Sequence, residues 1–413
     1  RRGAAALPGE AAVRALGPAE RAAPLFLAAA AELDLPAANV GRPAGSRGPS
    51  LARRRRGRGA SREARRPGVR RAMTLLGTRF ARLSMIPHVP LVRATPVEAL
   101  EVPGAPLYVK RDDLTAPAYG GNKTRKLEFL LGDARRRNAT ALLTAGAWGS
   151  HHVLATTLYG TRWGYAVHAV VAPQRRTAHV EENLRAGLGL GVHLHPVRRG
   201  PLVPAALLRV QASLRTRGER AYRIPFGGSS PVGALGYVEA GLEVAGQIQA
   251  GELSEPDVLV VALGSGGTLA GLAVGLAAAG LTVPLVGVRV TPRAVAHRRR
   301  VVQLAQRVIA RLRAMDPSFP AVEGAVRRSV GVDSRFFAPG YGEVSAAATD
   351  AKRRAAEAGL VTDTTYTARA FAAALRRHGE GARVLYWHTL SSADLSPLLA
   401  AAPEVPRWAG GAE

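Results

Sequence analysis

The chain has 413 residues, 47% hydrophobic and 21% charged, values of an ordinary globular protein with enough length for two modest domains. It holds no cysteine, which excludes disulfides, thiolate nucleophiles and cysteine-ligated metals, and its histidines show no His-Glu-x-x-His or similar ligand spacing, so no metal is expected. The formal charge of +27 raises nucleic acid as a partner, but about +11 of it lies in the first 72 residues and the rest is spread over arginines without interleaved aromatics. Neither a nucleic acid nor a membrane is expected to bind, since no apolar run approaches the roughly 18 residues that span a bilayer.

Residues 1–72 consist largely of Arg, Ala, Gly and Pro, with Arg53-Arg54-Arg55-Arg56, and lack sustained alternation or helical period. Such a segment cannot offset its ordering entropy by burial and is expected to be disordered. Three origins stay open for it: upstream reading-frame sequence joined to the gene, a natural basic tail, or an arginine-rich transit peptide. Folded patterning starts between Met73 and Met85. Strands are then predicted at Leu107–Lys110, Ala141–Thr144, Ala166–Ala172 and Val192–His195, alternating with helices at Lys126–Arg137, Ser150–Gly160 and Val180–Gly187. A second run has helices at Leu235–Ala250, Thr268–Ala279 and Val344–Ala358 and strands at Val258–Leu263, Val283–Val290 and Arg383–His388. Repeated strand-helix units imply an α/β protein with two parallel sheets and a ligand cleft at the carboxyl ends of the strands.

Three segments carry candidate chemistry. The strand Val258–Leu263 runs straight into Gly264-Ser265-Gly266-Gly267-Thr268 and a helix, which offers free backbone amides and the positive end of a helix dipole to a phosphate. This is neither a P-loop nor the dinucleotide Gly-x-Gly-x-x-Gly. Among 57 basic residues only Lys110, Lys123, Lys126 and Lys352 are lysines, so the chain takes arginine wherever charge suffices. A guanidinium cannot form an imine with an aldehyde, whereas a desolvated lysine amine can. Lys123 and Lys126 fall together in Gly120-Gly121-Asn122-Lys123-Thr124-Arg125-Lys126-Leu127-Glu128. Third, Thr144-Ala145-Gly146-Ala147-Trp148-Gly149-Ser150-His151-His152 is a strand ending in a glycine turn; its Ser150 either binds substrate or simply caps the following helix.

In this order, lysine segment, serine turn and phosphate loop resemble the family of 1-aminocyclopropane-1-carboxylate deaminases and D-cysteine desulfhydrases, within the tryptophan-synthase-β-like class of fold type II pyridoxal-phosphate enzymes. The resemblance covers about Leu91 to Leu399 and includes Val109-Lys110-Arg111-Asp112-Asp113-Leu114 and Gly227-Gly228-Ser229-Ser230-Pro231-Val232-Gly233. It implies two three-layer parallel-sheet domains with pyridoxal 5′-phosphate in the cleft between them: a large cofactor-binding domain of residues 73–125 and 237–405, and a small one of residues 126–236. It also implies a cytoplasmic homodimer acting on a small amino acid.

Carried over by position, Lys123 matches the Schiff-base lysine and later proton-transfer base, and Ser150 matches the active-site serine. Tyr341 and Tyr366 match tyrosines facing substrate and cofactor. Asn122, Lys126, His151, Thr367 and the loop Gly264, Ser265, Gly266, Gly267 and Thr268 match cofactor-binding positions. His151 stands where the family places asparagine, so its ring brings a titratable group to that position. Thr367 and Thr389 resemble the desulfhydrases, because the deaminases place glutamate and leucine there. The function implied is α,β-elimination giving a 2-oxo acid, ammonia and, from D-cysteine, sulfide. Ring-opening deamination and elimination or racemisation of another small amino acid are the alternatives.

Overall fold

A computed structural model describes residues 73–337 and 343–406. The expectation of disorder for residues 1–72, and Tyr341, fall outside the described residues. Thr74 starts the folded chain by capping helix α1 (Leu75–Arg79) with its side chain. Strands β1 (Val97–Leu100) and β2 (Leu107–Arg111) lead to α2 (Asn122–Arg136). Then β3 (Ala141–Ala147), α3 (His151–Arg162), β4 (Ala166–Ala172), α4 (Ala178–Gly189), β5 (His193–Pro196), α5 (Val203–Thr216) and β6 (Ala221–Arg223) follow. Beyond them lie α6 (Leu235–Gln249), β7 (Val258–Leu263), α7 (Gly267–Ala278), β8 (Leu285–Arg289), α8 (Arg298–Met315), α9 (Glu323–Ser329) and β9 (Val330–Asp333). The chain closes with α10 (Ala346–Glu357), α11 (Thr367–Gly379), β10 (Val384–His388) and the short α12 (Ser396–Leu399).

The strands form two sheets, one in the order β1-β2-β10-β7-β8-β9 and one in the order β5-β4-β3-β6. Every pairing is parallel except that of β1 with β2, so an antiparallel edge strand joins the larger sheet. Side-chain alternation explains why β7 reads as one apolar run. Leu259, Val261 and Leu263 enter the core beneath α6, α7 and α8, while Val258, Val260 and Ala262 enter the core beneath α10 and α11. The smaller sheet repeats this pattern: Leu142 packs among residues of α2, α3 and α4, and Leu143 and Ala145 face α5. Helix α7 is buried on all sides, as its uniformly apolar and small residues require. Leu398 of α12 belongs to the core of the smaller sheet, and Arg185 of α4 donates to Leu399 O at 3.5 Å, so the end of the chain crosses to that side.

A buried ionic cluster fixes the start of α2. Asp112, fully buried after β2, accepts Arg125 Nε at 2.9 Å, Tyr237 Oη at 2.6 Å and Trp387 Nε1 at 2.6 Å. Arg125 also pairs with Glu243 at 2.8 Å, and Glu243 with Lys110 at 2.6 Å. Segments β2, α2, α6 and β10 thus meet on one charged group. Fully paired charges tolerate such burial, and removing one partner strands the other.

Candidate active site

The turns that follow β3, β7 and β10 line one cavity of about 640 Å³ together with the first turn of α2. Helix α2 starts at Asn122, four residues earlier than the apolar pattern predicts, so Lys123 lies in its first turn. Gly121 makes this start possible. Its φ is +83°, and a Cβ there would stand 2.7 Å from Thr389 O, the atom that accepts the Asn122 amide at 3.1 Å.

Lys123 Nζ donates to Asn122 Oδ1 at 2.7 Å, and Asn122 Nδ2 donates to Thr268 Oγ1 at 3.3 Å, tying the lysine to the glycine loop. Burial pushes the Lys123 amine down to about 8, against the opposing attraction of Asp363. Lys126 is 3% exposed; its amine donates to Gly227 O at 3.1 Å and lies 5.9 Å from the Tyr237 ring centroid. No carboxylate pairs with it among the described residues, and burial followed by repulsion from Lys123 holds it well below the usual lysine range.

The loop Gly264–Gly266 feeds α7, whose N-cap Gly266 supplies no side-chain acceptor. The Gly267 amide donates to Ser229 Oγ at 3.0 Å, and a Cβ on Gly267 would come within 2.5 Å of that oxygen. Ser229 and Ser265 share a hydrogen bond of 2.7 Å between their hydroxyls. Thr268 and Leu269 in the first turn of α7 line the cavity together with Lys126, and a helix leaves its first amides without internal acceptors. A buried amine without a carboxylate beside an uncapped helix start is a donor set that fits a phosphate.

Across the cavity Ser150 caps α3, its Oγ accepting the Val153 amide at 3.4 Å, and it lines the cavity as well. His151 turns both ring nitrogens to protein groups: Nδ1 is 2.6 Å from Tyr119 Oη, and Nε2 is 2.9 Å from His179 Nε2. Burial first, and His179 second, push its ring down to about 3, so it is neutral. His152 Nε2 meets Thr144 Oγ1 at 2.9 Å, whose hydroxyl donates to Ile224 O at 3.1 Å; the His152 proton therefore sits on Nε2.

Tyr366 is the residue before α11, and its ring edge lies 3.5 Å from the position of a Cβ on Gly264. Thr367 is buried and lines the cavity, but its hydroxyl donates to Asp363 Oδ2 at 2.8 Å and accepts the Asp363 amide at 2.8 Å. The Asp363 carboxylate also accepts the amides of Thr365 at 2.8 Å, Tyr366 at 2.6 Å and Thr367 at 3.2 Å, completing the cap of α11.

Of the described candidate residues, all but Gly267 line this cavity, and Gly267 braces the loop from behind. Further lining residues lie outside the sequence candidates, among them Tyr119, His179, Glu182, Asn183 and Asp363. Tyr119 stands two residues before Gly121 and was within reach of the lysine motif. His179 and Asn183 open α4 and reach the site only through sheet order. Asp363 had a signal, since Asp four residues before Thr367 ahead of a helix reads as a cap.

Residues 86–389 match the family of pyridoxal-phosphate dependent enzymes. The chain is 44% identical over 219 residues to nocardicin C-9′ epimerase of Nocardia uniformis subsp. tsuyamanensis, a match covering 50% of this chain and 64% of the epimerase, just under two thirds of its length. It is 35% identical over 334 residues to D-cysteine desulfhydrase of Salmonella paratyphi A, covering 76% of this chain and 94% of that protein. The crystal structure of an ACC deaminase homologue superposes with a TM-score of 0.61 at 31% identity, covering 75% of this chain and 93% of the other.

Proposed function

Because the chain belongs to the family of pyridoxal-phosphate-dependent enzymes, we propose that it is a lyase that removes the α-proton and β-substituent of a small amino acid, with D-cysteine as the substrate and sulfide, ammonia and a 2-oxo acid as products. The observation that carries this reading is Lys123: a cavity lysine in the first turn of α2, with its amine held near 8 and its one carboxamide partner tied to the glycine loop. Similarity to a D-cysteine desulfhydrase along 94% of that protein supports the substrate. Thr367 and Thr389, in place of glutamate and leucine, speak against ring-opening deamination.

Bound pyridoxal 5′-phosphate supplies an electron sink for negative charge developing at Cα. In this reading Lys126, the first-turn amides of α7 and Thr268 hold its phosphate, and Tyr366 lies along the loop beside it. Ser150 and the start of α3 bind the substrate carboxylate, orienting the Cα–H bond. With cofactor and substrate bound, the Lys123 amine would accept the α-proton; its lowered basicity keeps a useful fraction unprotonated near neutral pH. With the cofactor bound, the electron pair left at Cα would form the Cα=Cβ bond as the β-sulfur leaves as sulfide, and addition of water to the released product would give the 2-oxo acid and ammonia. The large and small domains divide at residues 125/126 and 236/237 in this proposal, and the enzyme works as a cytoplasmic homodimer.

Purified chain loaded with pyridoxal phosphate is expected to release sulfide and pyruvate in equal amounts from D-cysteine, faster than from L-cysteine, and not to open 1-aminocyclopropane-1-carboxylate. Absence of sulfide and pyruvate from D-cysteine overturns the substrate. A second reading, inversion at Cα, is favoured by the 44% identity to an epimerase over 219 residues.

A further inference from the structure

Four polar side chains that the elimination leaves unused form a row along the cavity wall. Tyr119 Oη lies 2.6 Å from His151 Nδ1, His151 Nε2 lies 2.9 Å from His179 Nε2, and His179 Nδ1 lies 3.9 Å from Glu182 Oε2. The row runs from inside to outside: Tyr119 is 3% exposed, whereas the side chains of His179 and Glu182 are 45% and 51% exposed. All four residues line the cavity that holds Lys123.

This row accommodates its protons in two ways. In one, the Tyr119 hydroxyl donates to His151 Nδ1, His151 Nε2–H donates to His179 Nε2, and His179 Nδ1–H faces Glu182. In the other, every proton has moved one step inward. His179 Nε2–H donates to His151 Nε2, His151 Nδ1–H donates to the phenol oxygen, and the phenol hydrogen is free to turn to the cavity. Neither arrangement places a charge on a ring, which suits the burial of His151. Asn183 braces the first of these arrangements: its Nδ2 donates to Gly149 O at 3.0 Å and to the unprotonated His179 Nε2 at 3.3 Å.

We propose that Tyr119, His151 and His179 form a proton relay that gives the site an acid separate from Lys123, so that the enzyme inverts Cα in an amino acid that has no β leaving group. The inference rests on the pyridoxal-phosphate reading above and adds the residues and the second reaction. The step balances without an oxidant. Lys123 Nζ takes the proton from the Cα–H bond, leaving its electron pair on carbon; the Tyr119 O–H bond breaks and that proton bonds to Cα. His151 Nδ1–H restores the phenol, His179 Nε2–H restores His151, and water returns a proton to His179 while Lys123 loses its own. Substrate and product are enantiomers. Tyr119 is the catalytic member, and His151 and His179 act through it.

The test uses holoenzyme in D2O with D- and L-alanine, following deuterium at Cα and the enantiomer formed. Wild type is expected to place solvent deuterium in the inverted enantiomer. In His179→Gln, and more strongly in Tyr119→Phe, the ratio of inversion to exchange with retention is expected to fall at least about tenfold, on the scale of general acid catalysis. This ratio is insensitive to the amount of folded protein. A second readout uses apoenzyme with ¹⁵N-labelled histidine: His151 is expected to stay neutral to below about pH 5, and Tyr119→Phe to change the imidazole tautomer signals of both His151 and His179. Sulfide release from D-cysteine without any inversion of alanine overturns the relay and leaves the lyase reading standing. Unchanged inversion ratios or unchanged tautomer signals in the variants overturn it equally. Failure of wild type with both substrates overturns the lyase reading and the relay together.

Discussion

Arg125 and Lys126 are neighbours on α2 and are 2% and 3% exposed, yet they meet opposite surroundings. Arg125 turns to Asp112 and Glu243, whose charges outweigh the cost of burial and hold the guanidinium well above its usual range. Burial likewise pushes Glu243 up, but Arg125 and Lys110 bring it down to about 2. Lys126 and Lys123 turn the other way, into the cavity, where burial dominates and both amines lose basicity. One helix therefore presents a locked charge on one side and neutralisable amines on the other. The locked side holds the helix in place, and the other side has the chemistry that a carbonyl cofactor requires.

The contrast breaks most completely at Lys123. Lys123→Ala is expected to abolish the visible absorbance of covalently held cofactor and to lower turnover on the order of 10⁴-fold or more, with little change in thermal unfolding of the apoenzyme. Lys123→Arg keeps the charge and is expected to be equally inactive, because a guanidinium does not form the imine. On the paired side the expectation reverses. Asp112→Asn leaves Arg125 buried with one carboxylate fewer and weakens the acceptor of Tyr237 and Trp387, costing about 3–5 kcal/mol of stability as read from denaturant unfolding.

A finer comparison concerns pH. Capture of the cofactor needs the neutral Lys123 amine, so its rate in apoenzyme is expected to rise through about pH 8 and then level, rather than climbing toward the ordinary lysine range. Asp363 is the charge that opposes burial there, so Asp363→Asn is expected to move this midpoint to lower pH, by up to about one unit. Stopped-flow absorbance across a pH series reads both. The linked stability has a defined sign. The folded pKa of Lys123 lies below its unfolded value, so the unfolded chain binds the extra proton and this group's contribution to stability rises with pH between about 8 and the unfolded lysine value.

Much of this was legible in the chain. The parallel strands read directly as short apolar runs, because β3, β4 and β7 are buried on both faces. The strand-glycine-helix junction at Gly264–Thr268 and the place of Lys123 in the cavity read directly, because local sequence alone makes such a junction and sets a lysine where arginine is the habit. Helix α8 did not: its apolar positions Val301, Leu304, Val308 and Leu312 are spaced among six arginines, and the charge masked the period. The start of α2 was misplaced because Asn122 and Lys123 are polar, and only Gly121 against Thr389 O, distant in sequence, sets the boundary. Tyr119, His151 and His179 meet because α2, α3 and α4 cover one face of the smaller sheet, a matter of strand order that no local motif encodes.

Ser150 is the smallest and most discriminating test of the opposite wall. As a helix cap its hydroxyl accepts one amide, at 3.4 Å, and loss of a cap costs about 1 kcal/mol. As a ligand of the substrate carboxylate, the same hydroxyl contributes only when substrate is present. Ser150→Ala is therefore expected to lower the unfolding midpoint slightly and to raise KM for D-cysteine several-fold, leaving kcat closer to wild type. Ser150→Gly supplies a second cap without a hydroxyl, and it is expected to show the same KM with less loss of stability. If KM stays at the wild-type value in both variants, Ser150 is a cap alone. The carboxylate is then held by the amides of α3 themselves, which would make this wall, like the start of α7, a site built from backbone rather than from side chains.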